Sequence, residues 1–217
     1  MGKWPILLAV SGVLWGCSPL PKDEAAACRV ARLAAAPAPA AVLGSLGQPP
    51  ETLTAAEIDA TAACLAPALD AAVARAEDAT IRATRGWRPA SRTYIASEHG
   101  YFLQVFVNAA AADYVRLAEA APKLPQGAAV LKRSFRVAAD GTARVGPVFV
   151  MERMAPGYDP AFADWRFAVT TPEGPRMGES GGRDSARVAF CGECHRAARA
   201  QDFLFYVPPK FRVGGSP

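Results

Sequence analysis

The chain has 217 residues, 51% of them hydrophobic, and a formal charge of +4. That length is enough for one domain with a real core and a smaller appendage. The charge excess is small and scattered, so it makes no nucleic-acid-binding surface.

The first twenty residues read MGKWPILLAVSGVLWGCSPL. Lys3 is a short basic head, and Ile6 to Trp15 form an apolar run too short to span a bilayer comfortably, so residues 1–16 are expected to be a secretory leader. Leu14-Trp15-Gly16-Cys17 resembles a bacterial lipobox, although Trp15 is bulkier than usual for its place. The expectation is therefore lipidation of Cys17; the alternative is cleavage after Ala27 and release of a soluble secreted chain. Several acyl chains on Cys17 would hold the protein to a membrane. Ser18 beside it resembles the sorting residue of Gram-negative lipoproteins bound for the outer membrane, which puts the expected location on the periplasmic side of that membrane.

Residues 17–50 are rich in Ala and Pro and read as a tether. Residues 51–85 read as a helical appendage without chemistry of its own. Thr54 and Glu57 make a capping box, Ile58, Cys64 and Leu65 begin an apolar stripe, and Pro67 is expected to kink the run or split it in two.

From about residue 86 to 213 the texture changes to β-branched and aromatic runs. YFLQVFV (Tyr101 to Val107) is a near-continuous apolar strand, and Asn108 is expected to cap a helix ending at Pro122. GAAVLKRSFRV alternates, with Leu131, Arg133 and Phe135 on one face and Val130, Lys132 and Ser134 on the other. ADGTA is a hairpin turn into VGPVFVMERM, and DWRFAVTTPEG is a further strand and turn. The sum is an α+β fold: an antiparallel β-sheet with helices packed on one side, followed by a C-terminal helix carrying FCGECHRAARA, residues 190–200.

That last segment holds Cys191, Cys194 and His195 in a chain with five cysteines and two histidines. By chance this pattern arises on the order of once in a thousand such compositions. Two thiols three apart can add to the vinyl groups of a haem, and the adjacent imidazole can bind its iron. A zinc site would need two further ligands at no familiar spacing, and a thioredoxin-like pair would need a βαβ setting that is missing. With Cys17 assigned to lipid and two thiols to haem, Cys28 and Cys64 remain. They are either a disulfide formed in an oxidising compartment or two small buried hydrophobes.

The segments FVNAAAADYVRLAEAAPKLPQGAAVLKRSF, VFVMERM, DWRF and CGECHRAARAQDFLF stand in the order found in the cytochrome P-460 family, which residues 90–207 resemble. The resemblance implies a small antiparallel sheet with packed helices, a homodimer, and one covalent haem c. One branch of the family oxidises hydroxylamine or nitric oxide, passes electrons to a soluble cytochrome, and bonds a lysine amine to the porphyrin. The other, like cytochrome c′-beta, binds nitric oxide without turnover in an apolar distal pocket. Both imply an open distal site for a small nitrogen compound.

On that reading Lys132 falls where the family's lysine stands, although the alternation also allows a solvated lysine beside Ser134 and Arg136. Glu152 is the candidate distal carboxylate, with a salt bridge to a neighbouring arginine as the alternative. Phe102 and Phe106 are expected to shield the iron, and Gln104 either to hydrogen-bond a ligand or to face water. His99 reads as a partly exposed strand-end histidine, the residue on which any bis-histidine iron would depend. Met151, Met154 and Met177 could ligate but default to packing. Asp202, Phe203 and Phe205 read as packing around the haem helix.

Overall fold

The computed structural model describes residues 28–34, 52–116 and 123–214. The leader, Cys17 and most of the tether lie outside the described residues.

At the centre is an antiparallel sheet of eight strands: β1 (Arg88–Pro89), β2 (Ile95–Ala96), β3 (Phe102–Val107), β4 (Ala129–Val137), β5 (Ala143–Val145), β6 (Val148–Arg153), β7 (Trp165–Thr170) and β8 (Arg176–Glu179). The main path runs β1-β3-β4-β6-β7-β8, with β2 on β3 and β5 on β4. Between β3 and β4 lies a kinked 3₁₀ stretch, Ala109–Arg116, where a longer helix was expected. Asn108 does cap it, its Oδ1 accepting from the Ala111 amide at 3.0 Å; the same oxygen also accepts from Ala129, tying the end of β3 to the start of β4.

The fold is α+β, and both faces of the sheet are covered. On the back face lie α2 (Ala55–Arg75) and α3 (Ala79–Arg82). The Thr54–Glu57 capping box opens α2, and Thr61, Leu65, Leu69 and Ala72 repeat at helical spacing on its buried side. Pro67 does not split this helix, which runs unbroken from Ala55 to Arg75. It sits on the exposed side, where the carbonyl deprived of its amide partner faces water. Leu65 and Leu69 pack on Phe102, Phe135 and Val137, and Ile81 packs on Leu131, Val148 and Val150. Each fully buried side chain of this kind contributes roughly 1.5–3 kcal/mol.

Part of the stretch read as a tether belongs to this layer. Cys28 and Val30 are buried, Arg29 bridges to Thr142, and a short helix α1 (Ala31–Ala34) follows. Cys28 is joined to Cys64 by a disulfide across a separation of 36 residues. A loop of that length gives roughly 3–4 kcal/mol of stabilisation, chiefly by restricting the unfolded chain.

On the front face lie the C-terminal segments: α4 (Ala189–His195), a 3₁₀ stretch Arg196–Gln201, and an irregular tail. Trp165 is fully buried beneath them and donates from Nε1 to the Asp202 carbonyl at 2.8 Å. Tyr114 donates to the Phe205 carbonyl at 2.8 Å, and Arg153 makes a buried ion pair with Asp202. These polar contacts fix the tail on an otherwise apolar surface.

Candidate haem site

In α4, residues 191, 194 and 195 stand at i, i+3 and i+4, hence on one helical face. That face looks onto the front of the sheet across a cavity of about 550 Å³, within the range of small-molecule clefts. Phe149, Met151, Phe167 and Val169 supply its apolar wall, and Cys191, Cys194, His195, Lys132, His99 and Glu98 its chemistry. Phe190, large and exposed, stands at the rim. Gly192, on another side of α4, lets the helix press against Phe162 in the turn before β7: a Cβ there would meet that ring at 2.8 Å.

His195 is buried, with its ring between Phe167 and Phe205 at centroid distances of 5.4 and 5.1 Å. Its Nδ1 lies 2.7 Å from the Phe203 carbonyl oxygen. A carbonyl can only accept, so Nδ1 carries the hydrogen and Nε2 keeps its lone pair free. A carbonyl accepting from the far ring nitrogen in this way orients a histidine for metal binding through the other. It is made by an unusual backbone: Asp202 and Phe203 both have positive φ, 58° and 62°. Non-glycine residues adopt that region at a cost of about 1–3 kcal/mol each, and here the Arg153 ion pair, the Trp165 bond and the His195 bond hold it.

Lys132 is buried, with its cross-strand partners Val105 and Phe149 on the cavity side. Its face of β4 is therefore the cavity face, not the solvated one. Burial pulls its ammonium down to about 8, partly offset by the nearby Cys191 and Cys194 thiols. Burial also pushes the Cys191 thiol up to about 11.

Three expectations are overturned by strand parity. Phe102, Gln104 and Phe106 share the register of Phe135, Arg133 and Leu131, and so point to the back face. Phe102 stacks on Phe135 at 5.1 Å, and the Arg133 guanidinium lies 4.3 Å from the Phe106 ring centre; neither phenylalanine lines the cavity. Gln104 accepts from Arg133, behind the sheet. Glu152 also belongs to the back, where it pairs with Arg166 at 2.8 Å and accepts from Thr80. The salt-bridge alternative holds for Glu152, and no distal carboxylate comes from β6.

His99 is not simply a strand-end histidine. Its ring forms part of the cavity wall, 4.9 Å from Phe149 and 6.5 Å from the His195 ring. The missed signal was positional: a histidine in a short turn before β3 reaches the same cavity as the helix that crosses it. Met151 and Met177 also line the cavity, whereas Met154 lies beyond the end of β6. Among the described residues, no group of three or more His, Cys, Asp or Glu side chains is placed to hold a metal ion alone.

Both imidazoles are uncharged in the fold. Burial drags His195 down to about 4 and His99 to about 3, and the Lys132 charge lowers both further. An unfolded histidine titrates near 6.5, so between that pH and about 4 the unfolded chain binds more protons than the folded one. The haem-free chain is therefore expected to keep its full stability above pH 6.5. On acidification it should lose up to about 1.4 kcal/mol per pH unit for each histidine. Denaturant titrations at pH 7, 6 and 5 measure this, and a flat profile would mean the imidazoles are hydrated.

The donor set suits a haem: two thiols and one oriented imidazole on a helix face, opposed by an apolar wall. The family model of cytochrome P460 matches residues 82–206, more than half of the chain. No curated protein matches it.

Proposed function

The chain belongs to the cytochrome P460 family of haem proteins, and on that premise we infer that it is an exported haem c protein that binds or oxidises a small nitrogen compound, such as hydroxylamine or nitric oxide. Cys191 and Cys194 hold the one haem by thioethers, and His195 ligates its iron. The observation that carries this is the His195 Nδ1–Phe203 contact, which leaves Nε2 free toward a cavity that both cysteines also line. When bound, the haem supplies an iron that coordinates the nitrogen ligand and exchanges electrons, and a soluble cytochrome is the expected acceptor.

The residues of the chain do the rest. Phe149, Met151 and Phe167 keep the cavity apolar, and the Phe203 carbonyl fixes the His195 tautomer. Lys132 presents an amine that is substantially neutral near pH 8, the form that would add to a porphyrin edge already oxidised by an external two-electron oxidant, the amine and the ring carbon each giving up a proton, as the oxidising branch requires. With Glu152 behind the sheet, the base that oxidation of a nitrogen hydride needs would come from Glu98, His99 or the Lys132 amine, all of which line the cavity; the second reading, ligand binding or electron transfer without turnover, uses the same haem site without that base.

Export through the leader, lipidation at Cys17 and residence on the periplasmic face of the outer membrane complete the proposal. The Cys28–Cys64 disulfide supports an oxidising compartment. A homodimer is the assembly the family suggests. The test is intact mass and absorption of protein matured alongside c-type haem machinery. One haem surviving denaturation, and a reduced spectrum shifted by nitric oxide, are expected. Bare polypeptide, or thiols clasping zinc, would reject the proposal; a red-shifted, green haem would mark the Lys132 bond and an ordinary c-type spectrum its absence.

A further inference from the structure

We propose that His99 is the second axial partner of the iron held by His195, so that the resting site carries two imidazoles and a small ligand enters by displacing His99. This rests on the haem reading above. His99 projects from the turn between β2 and β3, which is tied by Gly100 N–H to the Ser97 carbonyl at 3.0 Å and by the Ser97 hydroxyl to the Tyr101 carbonyl at 2.8 Å. It is a partly buried ring, and among the described residues neither of its nitrogens has a hydrogen-bond partner. An imidazole placed against an apolar wall without a partner loses hydration and gains nothing in return, unless it meets something the cavity holds.

The spacing decides what that contact is. A metal–imidazole bond is about 2 Å and the ring centre lies roughly 1 Å behind the bonding nitrogen, so two imidazoles sharing one ion place their centres about 6 Å apart. The observed separation of the His99 and His195 centroids is 6.5 Å. A distal histidine that only hydrogen-bonded a bound diatomic molecule would sit about 3 Å further back, since the ligand and a hydrogen bond must fit between. His99 is too close for that role and at the right range for coordination. The two rings are inclined at 62° to each other, and two imidazoles bound to one ion can adopt any mutual inclination, so the separation is the geometry that carries the assignment.

The competitors for the same position are Glu98, Tyr101, Lys132, Met151 and Met177, which also line the cavity. The experiment is electron paramagnetic resonance and absorption of the ferric, haem-loaded protein, as wild type, His99→Ala, His99→Met and Lys132→Met. A low-spin, six-coordinate wild type is expected, and Lys132→Met should remain low-spin, whatever the absorption maximum does. His99→Ala should turn it high-spin, free imidazole should restore the low-spin signal, and His99→Met should give the distinct signature of a thioether ligand. Apparent affinity of the reduced protein for carbon monoxide should rise about tenfold or more in His99→Ala, the factor by which a bound His99 limits the open fraction. A high-spin wild type overturns the proposal, as does a low-spin signal that survives His99→Ala. In both cases the haem is present and the reading it rests on stands, whereas a matured chain without haem overturns both.

Discussion

Replacing Cys191 and Cys194 together by serine is expected to give a chain from which all haem is extracted on denaturation, while the wild type retains its haem through the same treatment. The effect is all-or-none because the thioethers are the only bonds that outlast the fold; His195 alone gives a ligand that is lost once α4 unravels. Each single substitution leaves one attachment point and is expected to retain haem with an altered reduced spectrum. The two thiols are not equivalent in the folded chain. Cys194 is exposed, whereas Cys191 is half-buried with its thiol held near 11, so little of it is thiolate at neutral pH. Attachment therefore belongs to the unfolded or opening chain, and a refolded, reduced apoprotein offered haem is expected to couple first through Cys194. Mass spectrometry of the haem-bearing peptide reads the order directly; first attachment at Cys191 would show that α4 opens in solution.

Much of the fold is legible in the sequence, and the parity of the strands is where it stops being so. YFLQVFV and VFVMER are nearly continuous apolar runs because both faces of the sheet are covered, by α2 and α3 behind and by α4 and its tail in front. In such a strand the alternation shows which residues share a face but not which face carries the site. With that ambiguity the sequence alone is equally consistent with Phe102 and Phe106 facing the cavity and with Lys132 facing either the haem or solvent. The register pairing Lys132 with Val105 and Phe149 resolves it. The Cys191–Cys194–His195 constellation was legible because its geometry is local, one turn of helix. His99 and the Phe203 carbonyl were not, because each reaches the site through a turn whose direction depends on tertiary contacts. The capping box at Thr54 was legible for the same local reason, while Pro67 misled because its cost depends on which side of the helix meets water.

Replacing Arg166 by methionine is expected to destabilise the protein by roughly 3–5 kcal/mol, the usual consequence of removing one partner from a buried ion pair. Arg166 lies behind the sheet on β7, where it reaches Asp78 at 2.8 Å, Glu152 at 2.8 Å and Glu179 at 2.9 Å. Asp78 is 1% exposed, and its other cation, Arg176, stands off at 3.4 Å. Burial pushes the Asp78 carboxyl up, and the Arg166 hydrogen bond and charge more than offset this, holding it below the usual value of 3.8. Its contribution is therefore present above about pH 4 and fades as pH falls through the lowered value. Without Arg166 the sign reverses: the carboxyl rises above its unfolded value, destabilises the fold at neutral pH, and is relieved by protonation. The gap between variant and wild type should therefore narrow as the pH is taken toward 4, while Arg166→Lys, which keeps the charge but not the fork, should fall between them. Because Glu152 is held in this network, Glu152→Gln is expected to lower stability and leave the ferric haem spectrum and nitric oxide binding unchanged. A Glu152→Gln variant with wild-type stability and a changed distal spectrum would return that carboxylate to the front of the sheet, against its pairing with Arg166.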